Sequence, residues 1–315
     1  MAPSYKYPRL SSPLQLCPIL ALLLVVLMFT CFPYGVHAEG TFISAPARVD
    51  MVYDSSRDIV YITNGSLVLQ YQVGTDTYLP SIDLGGNLGG IDLSPDGNTL
   101  AVADRLRSET EVWIYLVDLP TGVSRKITFP RALNEGGTFT AAFGNDGTIL
   151  VTSTFEGTGL VPMRRYDPAT GATTQLATVW QNTMLTGSSD AAIVGFAESN
   201  SSDGPFGRFR ISDGDLLRKS GYTDGTGWYN YEMGVNHDGT QYAIPTYGGT
   251  FIYDAELENI NAIGQYAGQQ PIGVVYHPAE DIVYFAWSGT PEVRAFDTSS
   301  YAQLSFPAAW ATVAR

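Results

Sequence analysis

The sequence predicts an all-β fold, a β-propeller of four-stranded blades. Three observations carry that prediction. A unit of turn plus short apolar strand recurs six times, Asp-Gly and Thr-Gly turns punctuate it, and no segment beyond the N-terminal leader holds a long 3.6-residue apolar period. The 315 residues are 44% hydrophobic and only 15% charged, which excludes a disordered, collagenous or coiled-coil chain.

The leader comes first. Lys6 and Arg9 precede an apolar run from Leu16 to Phe32, and Pro33 and Gly35-Val36-His37-Ala38 follow. A basic start, an apolar middle and a Val-x-Ala end are the features of a secretory signal peptide, so residues 1–38 read as leader and 39–315 as one propeller domain. The run is near the lower length for a spanning helix, which makes an uncleaved anchor the competing reading. Cleavage after Ala38 leaves 277 residues with 15 basic and 31 acidic side chains, a formal charge of −16. That surface repels phosphate backbones and anionic head groups, and no Lys/Arg cluster overrides it, which argues against nucleic acid as a partner. Cys17 and Cys31 both lie in the leader, so the exported part has no disulfide, thiol nucleophile or Cys-ligated zinc. The expected address is secreted, periplasmic or cell surface.

The repeat then builds the domain. Ile91-Asp-Leu-Ser-Pro-Asp-Gly97 leads into Thr99-Leu-Ala-Val-Ala103, and Ala141-Ala-Phe-Gly-Asn-Asp-Gly147 leads into Ile149-Leu-Val-Thr152. The same pattern runs through Asp54, Asp190, Asp238 and Ala279, so that successive turns are 42, 50, 44, 48 and 41 residues apart. First strands such as Gly89-Gly90-Ile91 are small because innermost strands crowd the central axis. Second strands are apolar on both faces because neighbouring blades cover both. A third strand follows, as in Val112 to Asp118, then a fourth, as in Ser81 to Leu84.

Asp58-Ile-Val-Tyr-Ile-Thr-Asn64 with Gly65-Ser66, and Ile91 to Gly97 with Leu100 to Ala103, resemble the repeat of YVTN-type propellers. The likeness spans about residues 41–306 and overlaps with WD40-like and lactonase-like propellers. It implies a scaffold common among secreted and cell-surface proteins, and a scaffold does not name a reaction.

The two ends bear on blade number. Thr41 to Ser44 occupies the place of a fourth strand, and Tyr301 to Phe306 supplies another to the sixth unit. In a six-bladed ring the two compete for one slot. A seven-bladed ring, whose incomplete last blade begins at Ala308 to Val313 and is closed by Thr41 to Ser44, removes the competition and is the favoured expectation. An unclosed ring exposes strand edges and invites association with another chain.

Propeller ligands bind at the channel mouth, on the loops joining strands four to one and two to three, where several blades converge. Those loops hold the candidate ligand-binding residues Asp104, Arg105, Arg107, Glu135, Glu156, Trp228, Tyr229, Tyr247 and Trp287. Such charges and aromatics suit a protein or carbohydrate ligand. Glu135 and Glu156 could act as an acid-base pair, or with Asp104 hold calcium or another divalent cation, because hard cations want convergent oxygens. The Asp-Gly pairs are turn residues rather than ligands, and His237 and His277 sit in turns away from the mouth. No G-x-S-x-G, H-E-x-x-H, phosphate loop or dinucleotide fingerprint is present. The expectation is an exported binding or interaction module. The alternative is a propeller enzyme, a lactonase-like hydrolase or a lyase, whose mouth carboxylates converge.

Overall fold

The computed structural model describes residues 43–199, 202–220, 229–263, 271–288 and 293–304. The leader of residues 1–38 lies outside them. Among the described residues the fold is six antiparallel sheets in chain order, with one short 3-10 turn, Val73–Thr75, as the only helical element.

Blade 1 is β1 (Arg48–Asp54), β2 (Ile59–Asn64), β3 (Leu67–Gln72) and β4 (Thr77–Asp83). Blade 2 is β5 (Leu88–Leu93), β6 (Thr99–Arg107), β7 (Glu111–Asp118) and β8 (Val123–Pro130). Blade 3 is β9 (Glu135–Phe143), β10 (Ile149–Phe155), β11 (Leu160–Tyr166) and β12 (Thr173–Trp180). Blade 4 is β13 (Met184–Gly187), β14 (Ile193–Ala197), β15 (Phe206–Arg210) and β16 (Leu216–Lys219), and blade 5 is β17 (Gly234–Val235), β18 (Tyr242–Thr246), β19 (Gly249–Tyr253) and β20 (Asn259–Ile263). Blade 6 has three strands, β21 (Pro271–Tyr276), β22 (Ile282–Trp287) and β23 (Val293–Asp297). Its fourth position is marked by a bridge between Phe296 and Gln303 and by the Leu304 N–H donating to the Ala295 carbonyl at 2.9 Å.

Six blades is the observed count, which corrects the favoured seven-bladed expectation. Ile43 and Ser44 form no strand, and Ala308 to Val313, expected to open a seventh blade, lies outside the described residues. The turns behave as their sequences require. Gly97, Gly147 and Gly239 of the Asp-Gly pairs have φ of 71°, 80° and 72°, a conformation only glycine adopts without strain. The preceding aspartates cap the same turns, as where Asp146 accepts from the Thr148 hydroxyl at 2.6 Å.

The core is divided among the seams between blades. One apolar cluster joins Tyr61 and Val68 of blade 1 to Leu100 and Val102 of blade 2. Others join Ile114 to Val151, Met163 to Phe196, Phe206 to Tyr242, and Ile252 to Phe285, so each consecutive pair of blades shares one. The second strands β14 and β18 are covered on both faces, every residue of each being buried. Small inner strands let the blades approach, since a Cβ on Gly89 would meet the Phe139 carbonyl at 2.5 Å.

Candidate functional site

On this side of the disc β6 and β10 end beside the connections that lead into β5 and β9. Asn87 and Arg105 are tied there, the Arg105 N–H donating to the Asn87 carbonyl at 2.8 Å, and the Glu156 N–H donates likewise to Asn134. The loops are thus held by backbone pairing and differ in their side chains.

Two of the three carboxylates expected to do chemistry are buried and saturated. Asp104 is fully buried and accepts from the Trp113 indole N–H at 2.7 Å, from the Asn87 N–H at 3.0 Å and from the Leu106 N–H at 2.9 Å. Glu135 is also fully buried; both of its oxygens receive the Arg164 guanidinium, with Nη2 at 2.7 Å from Oε2, and it accepts from Ser153 Oγ at 2.6 Å and the Ala132 N–H at 2.7 Å. Glu156 is accessible and paired with Arg107 and with Arg131 Nη2, the latter at 2.7 Å. Each acid has its own cation or donor set, and among the described residues no three His, Cys, Asp or Glu side chains gather as metal ligands would.

Arg105 is different. Its guanidinium lies 5.3 Å from the centre of the Phe139 ring, its Nε is buried without an acceptor, and it pairs with no acid among the described residues. Burial without a counter-ion lowers its pKa. A second feature lies toward blades 4 and 5. The bridge between Asn230 and Thr246 puts their neighbours Tyr229 and Tyr247 at one level, and both are largely exposed. Asn230 Nδ2 donates to the Gly204 and Pro205 carbonyls at 2.9 and 3.1 Å, which ties the chain just before β15 to this rim.

Trp287 was expected at the mouth but is buried in blade 6, stacked on Phe296 at 6.3 Å with Arg294 4.6 Å above it. Trp228 lies outside the described residues. His277 caps a turn, its Nδ1 accepting from the Glu280 N–H at 2.9 Å.

Three acids on or beside the innermost strands were not anticipated. The Ile91 N–H donates to Asp50 at 3.0 Å, the Phe143 N–H to Asp92 at 2.7 Å, and the Val274 N–H to Glu232 at 2.9 Å. Each clamps one inner strand to the next blade. Burial, partly offset by these hydrogen bonds and reinforced by the charge of Asp50, pushes Asp92 and Glu232 up to about 7. Asp50 is raised by burial as well. The available signal was an acid in an inner strand that otherwise favours small residues.

No protein-family model matches the chain, and no curated protein matches it either. Solved structures do match in fold. Hydrazine synthase of Kuenenia stuttgartiensis superposes with a TM-score of 0.64 at 13% identity, covering 81% of this chain and 84% of that one. A functionally unknown protein from Desulfotomaculum acetoxidans DSM 771 gives 0.63 at 13% identity, covering 88% and 91%. The β-propeller domain of Cps50 (Swd1) from Myceliophteria thermophila gives 0.61 at 10% identity, covering 84% and 88%. At these identities the likeness is one of fold. The chain is a β-propeller.

Proposed function

We propose that this propeller is an exported binding module that takes an anionic group of a protein or carbohydrate ligand at the Arg105 side of its mouth. The carrying observation is the contrast between Arg105 and the acids around it. Asp104 is committed to Trp113, Glu135 to Arg164 and Glu156 to Arg107 and Arg131, while Arg105 faces the rim beside Phe139 with no counter-ion among the described residues. A half-buried guanidinium in a protein of net charge −14 gains most from a ligand that brings a carboxylate or sulfate, because charge-assisted pairs strengthen where water is excluded. Tyr229 and Tyr247 offer a flat amphipathic surface of the kind that packs on sugar rings or peptide.

The same geometry weighs against the lactonase-like or lyase alternative, which needs free carboxylates converging at the mouth. Calcium as a ligand of Asp104 or Glu135 would have to break their present bonds. Melting the protein with calcium, with EDTA, and with panels of acidic sugars, acidic peptides and lactones tests the reading, since a ligand of the folded state raises Tm by mass action. A rise with acidic sugars or peptides supports it. Turnover of a lactone, or a rise with calcium alone, favours the alternative.

A further inference from the structure

The outer strand of a blade has a free edge, and such edges are guarded by shortness, by bulges or by charge. Among the described residues the outer strands use different guards. β4, β12 and β20 each break register with the third strand of their blade, between Val68 and Gln70, Met163 and Arg164, and Ile252 and Tyr253, and β16 has only four residues. β8 does neither. Its eight residues pair with β7 without a register shift, from Glu111 opposite Pro130 to Asp118 opposite Val123, and it is the last strand of its sheet. Alternate residues of a regular edge strand turn N–H and C=O groups outward, so β8 is a flat template for pairing.

Its guard is charge. Arg125 and Lys126 stand side by side and exposed in the middle of β8, and neither has an ion pair among the described residues. Lys126 lies on the Trp113 ring, its Nζ 3.3 Å from the centre. The cations on the third and outer strands of blades 3 and 4 differ: Arg165, Arg208, Arg210, Arg218 and Lys219 are each paired with an acid. Beside β8 a groove of about 390 Å³ opens between blades 2 and 3, with Arg125 in its wall and buried Leu116 and Phe143 in its lining. The two acids that line it are engaged, Asp96 by the Ser94 hydroxyl at 2.5 Å and Asp146 by Arg165.

We propose that β8 is a docking edge for an extended acidic segment of another protein, which adds to the sheet as a fifth strand. Main-chain pairing supplies affinity in strand addition, and side chains set the choice of partner. Neighbouring residues of a strand point to opposite faces, so two successive acids on the added strand meet Arg125 on one face and Lys126 on the other. An apolar side chain on the Arg125 face reaches the groove. In a protein of net charge −14 these unpaired cations also steer an anionic segment to this edge and not to the acidic surface around it. A second copy of the chain is the less suited occupant through the same edge, since β8 against β8 sets Arg125 and Lys126 close to their own copies, and like charges across a strand pair destabilise it.

The experiment titrates the full chain with a blocked octapeptide that carries two central glutamates among threonines and valines. Two control peptides have lysines in place of the glutamates, or the glutamates kept and every amide N-methylated, which preserves charge and removes strand pairing. The protein is tested as parent, as Arg125→Ser with Lys126→Ser, and as Arg105→Ala. The expected result is binding of the acidic peptide by the parent and by Arg105→Ala alike, and binding at least tenfold weaker for the β8 double variant and for both control peptides. Both β8 side chains are exposed, so the double variant keeps the parent Tm. Absence of binding to the parent at millimolar peptide overturns the proposal, and so does undiminished binding of the N-methylated peptide, which means attraction by charge without an added strand. Binding lost in Arg105→Ala and kept in the β8 variant moves the peptide to the mouth; that outcome supports the anion site at Arg105 and refutes the docking edge. Self-association of the parent that the β8 variant loses assigns the edge to a second copy and overturns the proposal as well.

Discussion

Removing the Glu135 carboxylate is expected to unfold the protein before it alters any chemistry. Glu135 is fully buried at the start of β9, and the Arg164 guanidinium, itself buried on β11, is held by both of its oxygens. Glu135→Ala leaves that cation in a dry site with the Pro130 carbonyl at 3.0 Å and a long contact to Ser153 Oγ at 3.5 Å, and strands the Ala132 N–H. Breaking a buried pair from one side costs about 3–5 kcal/mol, because an uncompensated charge stays inside. For a domain near this size 1 kcal/mol is worth about 2–4 °C, so Tm should fall by roughly 6–20 °C. The double variant Glu135→Leu with Arg164→Met removes both charges and should recover most of the loss, since apolar replacement of a buried pair is often neutral. Calorimetry and urea melts on the single and double variants read this as a cycle. A Glu135→Ala protein as stable as the parent would refute the structural assignment and return Glu135 to the list of catalytic acids.

Three further outcomes follow from the geometry. Asp104→Ala should cost about 2–4 kcal/mol in urea melts, because the Trp113 indole and two backbone N–H groups lose a charged acceptor; a change below about 0.5 kcal/mol would contradict it. Gly137→Ala should lose about 3 kcal/mol or fail to fold, because its Cβ runs into the Arg105 backbone, and soluble yield with a melt decides it. Stability should fall as pH rises from 5.5 to 8: Asp92 and Glu232 are raised to about 7 in the folded state against about 4 unfolded, so the folded state holds these protons more tightly and the stability present below about pH 4 is lost through pH 7. Asp92→Asn with Glu232→Gln should flatten that slope, and a Tm that climbs across the window would contradict the burial of these two acids.

Much of the fold was legible because turns and inner strands are local. Asp-Gly at 96–97, 146–147 and 238–239 needs positive φ, Gly89-Gly90 needs crowding, and both signals sit in a few consecutive residues. The site was less legible because its partners are far apart in sequence. Nothing near Glu135 announces Arg164, 29 residues on, and nothing near Asp104 distinguishes an exposed loop acid from one that receives Trp113 from the next strand. Trp287 was assigned to the rim for its place at a strand end, yet aromatic neighbours in its own blade bury it. Blade number depended on chain ends rather than on the repeat.

The central claim, that the mouth recognises an anionic ligand through Arg105 rather than turning over a substrate through its acids, is tested most directly by calorimetric titration of the parent and Arg105→Ala proteins with acidic oligosaccharides and acidic peptides. The expected result is binding by the parent that weakens at least tenfold, about 1.4 kcal/mol or more, in Arg105→Ala while Tm is unchanged. Binding that is indifferent to Arg105, or lactone turnover that Glu156→Gln abolishes without loss of stability, would contradict the account.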